Sequence, residues 1–250
     1  MGVEPIPGEP AAVADLGDER AVVVADYHAG IEAGLRRDGV ELPSHAEERL
    51  GTLLSILDRE PADRLVFLGD LGDAIGNPGR DEREELRALF DALPDHLAVT
   101  LVRGNHDGDP TAVTDDLDRS VEVTPGHGVR IGDVGFAHGH VWPGPDVLAA
   151  DVVCTAHEHP VVRLEDDVGG HRVERVWLRG RLDPAPFAEF HDTDIDGEAD
   201  LVVCPAFNDL SGGTWVNVQG DFLSPFLPEG LADGEAYLLD GTRLGDYRTV

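Results

Sequence analysis

The chain has 250 residues, which is long enough for one large α/β unit with a substantial core, and 41% of them are hydrophobic. Fifty acidic residues against nineteen basic ones leave a net charge of −31, and every basic residue is Arg. This balance argues against nucleic-acid binding in dilute buffer, because affinity for a polyanion depends on Lys and Arg neutralising phosphates. In molar salt the long-range repulsion is screened, so a nucleic-acid partner stays open.

The same charge indicates the environment in which the protein works. Acidic side chains are spread through predicted surface segments such as 81–95, and such a surface stays hydrated in concentrated salt. At ~1 M ionic strength the Debye length falls to about 3 Å, which screens most of the self-repulsion. We therefore expect a halophile with a salt-rich cytoplasm as the source; an acidic protein from a mesophile is the alternative.

Targeting signals and disulfides are not indicated. The segment MGVEPIPGEP at the start is neither basic nor apolar, unlike a signal peptide, and no run approaches ~18 uninterrupted apolar residues, so no membrane span is expected. Cys154 and Cys204 both end apolar runs and are expected to be buried thiols, since two cysteines make no disulfide framework. We expect a cytoplasmic protein.

The first half of the chain alternates short apolar runs with amphipathic stretches. Strands are predicted at 19–26, 64–70 and 96–105, and helices at 44–60 and 81–93. Ser44 is a candidate N-cap of the first helix. This βαβαβ order implies parallel strands joined by right-handed crossovers.

The pattern changes after about residue 120, where few helices are predicted. A hairpin is predicted at 122–140, two strands within 151–167, and further strands at 172–180 and 201–209. A second, more antiparallel sheet is therefore expected. The segment 181–200 is polar and rich in Pro and Asp, and we predict a surface loop there.

Polar residues follow the predicted strands at the points where the strands end. They form five short segments: 26–28 (DYH), 69–73 (GDLGD), 104–107 (GNHD), 138–140 (HGH) and 157–159 (HEH). Parallel α/β sheets bind ligands at the carboxyl ends of their strands, so these segments are predicted to meet in one cleft. Taken singly, each has an ordinary explanation as an Asx turn, a polar loop or a helix cap. The five together favour a functional site.

The residue types in these segments indicate the chemistry of that site. Carboxylates, imidazoles and one amide oxygen, without a thiolate, suit Mn, Fe or Zn in a catalytic site rather than a structural zinc. Seven candidate ligands are too many for one open catalytic ion but enough for two ions that share a bridging carboxylate. Two such ions, ~3.5–4 Å apart, clamp the attacking and leaving oxygens of an in-line displacement.

The five segments resemble the signature of the calcineurin-like metallophosphoesterase superfamily, whose pattern is DxH, GDxxD, GNH[DE], a lone His and then GHxH. The resemblance covers about residues 21–160 and implies an α/β fold, a two-sheet α/β/β/α sandwich, with two divalent metal ions per chain. Mn is the expected metal, and Fe, Zn, Ni or Co also suit these ligands. We expect residues 1–250 to form a single metallophosphoesterase domain.

The resemblance also assigns roles to individual residues. It places the first metal on Asp26, His28, Asp70 and His159. It places the second on Asp70, Asn105, His138 and His157, with Asp70 bridging the two. His106 stands where the family places the residue that protonates the leaving-group oxygen or contacts the phosphate, and Asp73 matches the acidic partner that orients this imidazole. Two cations would create hydroxide from a bridging water near neutral pH, and an imidazole beside a carboxylate can protonate the leaving alkoxide.

Two positions depart from the family pattern. Ala156 replaces the glycine before the histidine pair, which matters only if the backbone there needs φ > 0, where Ala is strained. Ala74 stands where phosphoprotein phosphatases carry an arginine after GDxxD, which argues against a protein phosphatase. The residues that contact substrate beyond the metals are not identified. The candidates, each of which equally fits a surface or packing role, are Arg36, Arg37, Arg103 and His140.

Three longer stretches resemble a narrower branch, the ICC-like phosphoesterases of bacteria and archaea. They are residues 25–43, 156–160 and 201–213. Members of this branch include phosphoesterases associated with DNA-ligase and helicase genes, for which a nuclease-like role in repair is proposed. The branch resemblance implies that residues 205–207 and the turn 211–213 lie near the metal cleft, and with the charge it indicates a halophilic archaeon.

We therefore expect a dinuclear metal-dependent phosphoesterase that hydrolyses P–O bonds by metal-bound hydroxide. A phosphodiester or nucleic-acid substrate is favoured, with a role in DNA repair or processing. The alternatives are a phosphomonoesterase or cyclic-nucleotide phosphodiesterase and, in another class, a non-catalytic interaction scaffold on the same fold. The scaffold is disfavoured because every ligand position of the pattern carries a competent side chain. The expected partner is a phosphate-ester substrate, no membrane partner is expected, and the oligomeric state is not indicated.

Overall fold

Two β-sheets form the centre of the molecule. The computed structural model describes residues 2–108, 119–165, 168–195, 197–218 and 222–250. The first sheet contains β1 (Val3–Pro5), β2 (Ala11–Asp15), β3 (Arg20–Val24), β4 (Arg64–Leu68), β5 (Ala98–Val102) and β6 (Val121–Thr124). These strands lie in sequence order; β1, β2 and β3 pair antiparallel, while β3 to β6 pair parallel. The predicted parallel arrangement is confirmed, so β3, β4 and β5 end at the same edge.

The second sheet is mostly antiparallel, as predicted. Its strands are β7 (Val129–Ile131), β8 (Val134–Phe136), β9 (Val152–Thr155), β10 (Val161–Glu165), β11 (His171–Leu182), β12 (Asp200–Val203), β13 (Leu231–Leu238) and β14 (Arg243–Asp246). The order is β14-β13-β11-β12-β9-β8-β7, and β10 pairs with β11. Strand β9 runs parallel to both of its neighbours, β8 and β12. The carboxyl ends of β8 and β9 therefore lie at one edge of this sheet.

Helices cover the outer faces of both sheets. They are α1 (Ile31–Arg37), α2 (Ala46–Arg59), α3 (Arg80–Ala92), α4 (Pro145–Leu148) and α5 (Ala185–His191). Side chains of α2 and α3 pack on the first sheet, and those of α4 and α5 pack on the second. The Ser44 hydroxyl accepts a hydrogen bond from the Ala46 N–H at 3.3 Å, although α2 itself begins at Ala46. None of the helices in these described ranges is long and apolar enough to cross a membrane.

The alternation of side chains along β3 explains the layers. Val22 and Val24 face the helices, while Val23 faces the second sheet, because successive residues of a strand point to opposite faces. Between the sheets, Val23 shares one core with Trp177 and the free thiol of Cys154, which is buried as expected. Apolar residues on both faces of the strands thus produce the predicted α/β/β/α sandwich.

Two predicted elements in the second half are wrong. Residues 122–140 do not form one hairpin, because β6 joins the first sheet beside β5 and only β7 and β8 pair as a hairpin. The segment 181–200 is not a plain surface loop: it holds the end of β11, all of α5 and the start of β12, and its residue 196 lies outside the described residues. The fully buried Phe187 anchors α5, and Pro184 at the helix start suits a first turn.

Candidate metal centre

The polar segments meet where the two sheets end. Asp26 and His28 follow β3, Asp70 follows β4, and Asn105 follows β5. The second sheet contributes the remaining imidazoles. His138 is the second residue after β8, and His157 and His159 lie in the turn between β9 and β10. Potential ligand atoms of these residues form groups whose members lie within 4.8 Å of one another. The groups are Asp26 with His28 and His159, Asp70 with His138 and His157, and His28 with Asp73 and His106.

The first group contains three of the four residues that the resemblance assigns to one metal. Nε2 of His159 lies 3.2 Å from Oδ1 of Asp26 and 3.5 Å from Nε2 of His28. The Oδ2 atom of Asp70 lies farther out, 3.9 Å from Nε2 of His28. Two carboxylates and two imidazole nitrogens therefore converge on one small volume.

The second group lies beside the first, and its Asp70 faces His28 of the first group. Nε2 of His138 is 3.4 Å from Oδ2 of Asp70 and 3.2 Å from Oδ1 of Asn105. Because the same Asp70 oxygen also faces His28, this carboxylate lies between the two sets of imidazoles. His157 completes the group. This placement is what a bridging carboxylate requires.

The donor set fits divalent cations. Oδ1 of Asp26 is buried and accepts no hydrogen bond from any residue that the structure describes, and the His28 and His159 Nε2 atoms face one another. Nδ1 of His138 donates to the Leu68 carbonyl at 2.9 Å, and Nδ1 of His159 donates to the Ser211 carbonyl at 3.3 Å. These contacts leave the Nε2 lone pairs directed into the site, as outer contacts do for metal-bound histidines.

The electrostatics of the site also favour bound positive charge. Burial raises the pKa of the Asp26 carboxyl, but the adjacent His159 and His138 outweigh burial and hold that pKa below its usual value. Burial also disfavours the charged form of Asp70, yet its contact with His138 lowers the pKa of that carboxyl. Burial lowers the pKa of His138, but the hydrogen bond to Asp70 raises it to about 9. Two ionised carboxylates thus hold a proton on an imidazole, and a metal would replace that proton.

Backbone conformation concentrates strain at the same residues. Non-glycine residues rarely adopt a positive φ, and such conformations cluster at functional sites. Five of the seven predicted ligands have one: Asp26 (53°), His28 (47°), Asp70 (48°), His157 (70°) and His159 (45°). The local sequence alone would not hold these conformations, so neighbouring segments must stabilise them.

Asp107 stabilises the two loops after β4 and β5. Its side chain is buried and accepts hydrogen bonds from the N–H groups of Asp70 at 2.9 Å and Leu71 at 2.8 Å. It also accepts from the Gly104 N–H at 2.7 Å, which joins the two loops. Sequence reasoning assigned Asp107 no role, although its place in the GNHD segment was the available signal.

Asn208 stabilises the turn after β3 from the other sheet. Its side-chain amide is buried and donates to the carbonyls of Tyr27 at 3.1 Å and His28 at 3.2 Å. The adjacent Phe207 N–H donates to the Ala25 carbonyl at 2.8 Å. Residues 205–207 and 211–213 were expected near the cleft, and the Phe207 and Ser211 contacts lie there. No role was predicted for Asn208 itself.

Glu158 supports the histidine turn. Its fully buried carboxylate accepts from the N–H groups of Leu223 at 3.1 Å and Ser224 at 2.5 Å. Its carbonyl accepts from the Thr214 N–H at 3.0 Å. Ala156 is fully buried and has no positive φ, so the alanine at the expected glycine position is unstrained.

His106 contacts Asp73, but through the main-chain carbonyl of Asp73 and not through the carboxylate that was predicted to orient it. Nδ1 of His106 lies 2.5 Å from the main-chain carbonyl oxygen of Asp73, to which it donates. The Asp73 carboxylate instead faces His28, with Oδ1 3.4 Å from Nδ1. Asp73 therefore contacts His106 through its backbone carbonyl, and its carboxylate lies near His28.

The candidate substrate residues lie around the site. Arg36 pairs with Asp81 at 2.7 Å, Arg37 donates to the Ala33 carbonyl at 3.3 Å, and Arg103 donates to the Gly108 carbonyl. The His140 ring centroid lies 5.3 Å from that of His138. Burial, with the charge of His138, lowers the pKa of His140 to about 4.

A two-sheet sandwich with carboxylates and imidazoles converging at its strand ends defines a metal-dependent hydrolase. Residues 19–161 match the family described as Calcineurin-like phosphoesterase, and the chain belongs to this family. It is thus a metal-dependent phosphoesterase, a hydrolase of phosphate esters that uses divalent metal ions.

Two solved structures resemble the whole chain. Nuclease MPE of Pseudomonas putida is 22% identical with a TM-score of 0.54, over 95% of this chain and 97% of that chain. Yfce, a phosphoesterase from E. coli, is 15% identical with a TM-score of 0.36, over 90% of this chain and 96% of that chain. The first of these likenesses supports the fold. No curated protein sequence matches the chain significantly.

Proposed function

We propose that this phosphoesterase is a dinuclear enzyme that hydrolyses phosphodiesters, with nucleic acid as the substrate class. The observation that carries the proposal is the position of Asp70 between two groups of nitrogen and oxygen ligands. One shared carboxylate between two ligand sets is the arrangement of a two-ion site, and a single ion would leave part of the set unused.

The ligands divide between the two proposed ions as the family pattern assigns them. Asp26, His28, Asp70 and His159 would hold the first ion, and Asp70, Asn105, His138 and His157 the second. Mn is the proposed metal; Fe, Zn, Ni and Co suit the same donors. When bound, the two ions activate water and offset the negative charge that develops on the phosphoryl oxygens.

His106 is the proposed proton donor to the leaving group. Its Nδ1–H is held by the Asp73 carbonyl, which leaves Nε2 to exchange a proton with substrate. Hydrolysis breaks the P–O bond to the leaving alcohol, whose alkoxide oxygen takes the proton from His106.

A nucleic-acid substrate is supported by two observations of different kinds. The chain shares its fold with a protein described as a nuclease. Ala74 follows GDxxD at the position where phosphoprotein phosphatases carry an arginine, which argues against a phosphoprotein substrate. In molar KCl the net charge of −31 is screened, which removes the obstacle to a polyanionic substrate.

The test compares a bis-aryl with a mono-aryl phosphate in molar KCl with Mn added, followed by a panel of single-stranded DNA, duplex DNA, RNA and cyclic nucleotides. We expect turnover of the diester and two metal ions per chain by elemental analysis. Asp70→Asn should lose most of the activity and bound metal, since it weakens a ligand common to both ions. Asp95→Asn, an exposed carboxylate at the opposite end of β5, is the matched control and should keep both.

Two results would reject the proposal. Turnover of the mono-aryl phosphate alone would reassign the enzyme as a phosphomonoesterase. Protein purified from its own host without stoichiometric metal would favour the non-catalytic scaffold.

A further inference from the structure

An exposed tryptophan follows the segment whose backbone contacts the histidine turn. Trp215 is 41% exposed, whereas Trp177 in the core is 1% exposed. Trp215 forms an isolated parallel bridge with Val161, and Val161 is the second residue after the proposed ligand His159. The Val216 N–H donates to the Val161 carbonyl at 3.0 Å, which fixes the Trp215 backbone against the start of β10.

The segment that carries Trp215 also contacts the histidine turn directly. The Thr214 N–H donates to the Glu158 carbonyl at 3.0 Å. Gly213 packs so closely on this turn that a Cβ atom there would lie 2.2 Å from the His159 carbonyl oxygen. Three consecutive residues therefore connect the exposed indole to the turn that holds two proposed metal ligands.

Trp215 belongs to a small exposed surface, which we call the Trp215 platform and define as Trp215, Arg163 and Val173. The guanidinium carbon of Arg163 lies 5.9 Å from the Trp215 ring centroid. Val173 is 47% exposed and pairs directly with Arg163 across β10 and β11, so their side chains share one face. An indole, a guanidinium plane and an aliphatic side chain thus adjoin one another.

Phosphate contacts are a weak source of affinity on this surface. Arg163 already pairs with Glu165 at 2.8 Å, and the chain has fifty acidic residues against nineteen arginines. In the molar salt of the proposed halophilic origin, neutralising a phosphate contributes little. Stacking of a base on an aromatic ring does not depend on net charge. An exposed indole can therefore still bind a polynucleotide under these conditions.

We propose that the Trp215 platform is a nucleobase-binding site that stacks an unpaired base of the polynucleotide whose phosphodiester lies at the metal centre. This inference rests on the proposed function and adds the site that selects a polynucleotide over a small phosphodiester. A base within a duplex is already stacked on both faces, so the platform takes a base from a single-stranded segment. Arg163 lies over one face of the indole as a cation–π contact, so the base stacks on the other face.

The test compares wild type, Trp215→Ala and Trp215→Phe in molar KCl with Mn, using a single-stranded oligonucleotide and an abasic oligonucleotide of the same length. With Trp215→Ala, we expect KM for the oligonucleotide to rise about tenfold, the change that one lost stacking contact predicts, with kcat little changed. Trp215→Phe should restore most of the affinity. Hydrolysis of the abasic oligonucleotide, which has no aromatic ring to stack, should be the same in all three proteins.

Salt dependence gives a second readout. Binding of the oligonucleotide, measured by fluorescence anisotropy between about 1 and 3 M KCl, should have a slope of log Kd against log salt that corresponds to no more than about two phosphates. A steep slope would show that phosphate contacts, not stacking, supply the affinity, and would overturn the inference.

Other outcomes separate the inference from the proposed function. No diester turnover by wild type would reject the proposed function itself. Diester turnover with an oligonucleotide KM unchanged in Trp215→Ala would reject only the platform. An equal loss of activity on both substrates would assign Trp215 a structural role. If the wild type self-associates and Trp215→Ala abolishes this without changing KM, the platform is a protein contact.

Discussion

At the scale of single residues, the site consists of side chains whose backbone is held in an unfavourable conformation. A positive φ at a histidine or aspartate costs of order 1 kcal/mol or more, and five proposed ligands have one. The residue types and their order were predictable because each follows a strand. Their dihedral angles were not, because they depend on hydrogen bonds that Asp107 accepts and Asn208 donates, and both residues lie far away along the chain.

Glu82 is a buried carboxyl group near the site, and its ionisation should change the stability of the protein with pH. It is 7% exposed and packs against Gly30 and Gly72, and burial raises its pKa to about 7. The folded protein therefore binds the Glu82 proton more tightly than the unfolded chain, where the pKa is near 4.5. The stability that Glu82 contributes is complete below about pH 4.5 and is lost as the pH rises through about 7.

We expect Glu82→Gln to raise the free energy of unfolding at pH 8 by about 2 kcal/mol and to have little effect at pH 5, because glutamine has no charge to bury. Urea unfolding in molar KCl at the two pH values measures this difference. Glu84→Gln, an exposed carboxylate on the same helix, is the control. An equal effect of Glu82→Gln at both pH values would mean that its ionisation does not matter.

At the scale of elements, the strands and helices with strong periodicity were the predictable ones. The strands β3, β4 and β5 and the helices α2 and α3 have clear apolar patterns, and the structure contains all five. The strands β1 and β2 were not predicted, because their sequences, VEP and AAVAD, have few large apolar or β-branched residues. The pairing of β6 with β5 could not be read locally either, since the partner of a strand is chosen by tertiary packing.

Asn208 tests how one sheet supports the ligands of the other. It follows β12 in the second sheet, yet it donates to the carbonyls of Tyr27 and His28 after β3 of the first. Asn208→Ala should therefore weaken Mn binding about 10–100-fold, the usual effect of removing an outer contact of a metal site. Isothermal titration calorimetry of the metal-free protein with Mn measures this change in affinity.

Asn217→Ala is the matched control for that experiment. The Asn217 side chain bonds only to the backbone of Arg163 and Val250 among the contacts described, so its loss should lower stability without changing Mn affinity. Equal Mn affinity of Asn208→Ala and wild type would contradict the role of Asn208.

At the scale of the whole molecule, charge is the dominant property. A net charge of −31 on 250 residues disfavours the compact state in dilute buffer, where the acidic groups repel one another. Many of the arginines offset this locally in exposed pairs, such as Arg20 with Glu60 and Arg59 with Glu9, but exposed pairs contribute little each.

We therefore expect the protein to unfold, or its Tm to fall strongly, on dialysis from molar KCl into dilute buffer. Differential scanning calorimetry across a KCl series measures the dependence, and a series in an uncharged osmolyte is the control for general stabilisation. An unchanged Tm from dilute buffer to molar KCl would argue against the proposed halophilic origin.

The layer architecture and the residue types of the site follow from the amino-acid pattern alone. Carboxylates and imidazoles after successive apolar runs predict a metal site at strand ends, because the alternation and order of these runs are local properties. The contacts of individual atoms follow from the packing of distant segments. The Asp73 carbonyl, not its carboxylate, accepts the hydrogen bond from His106, Ala156 needs no positive φ, and Trp215 pairs with Val161, two residues after His159. These facts depend on contacts between segments distant in the chain, which no local pattern encodes.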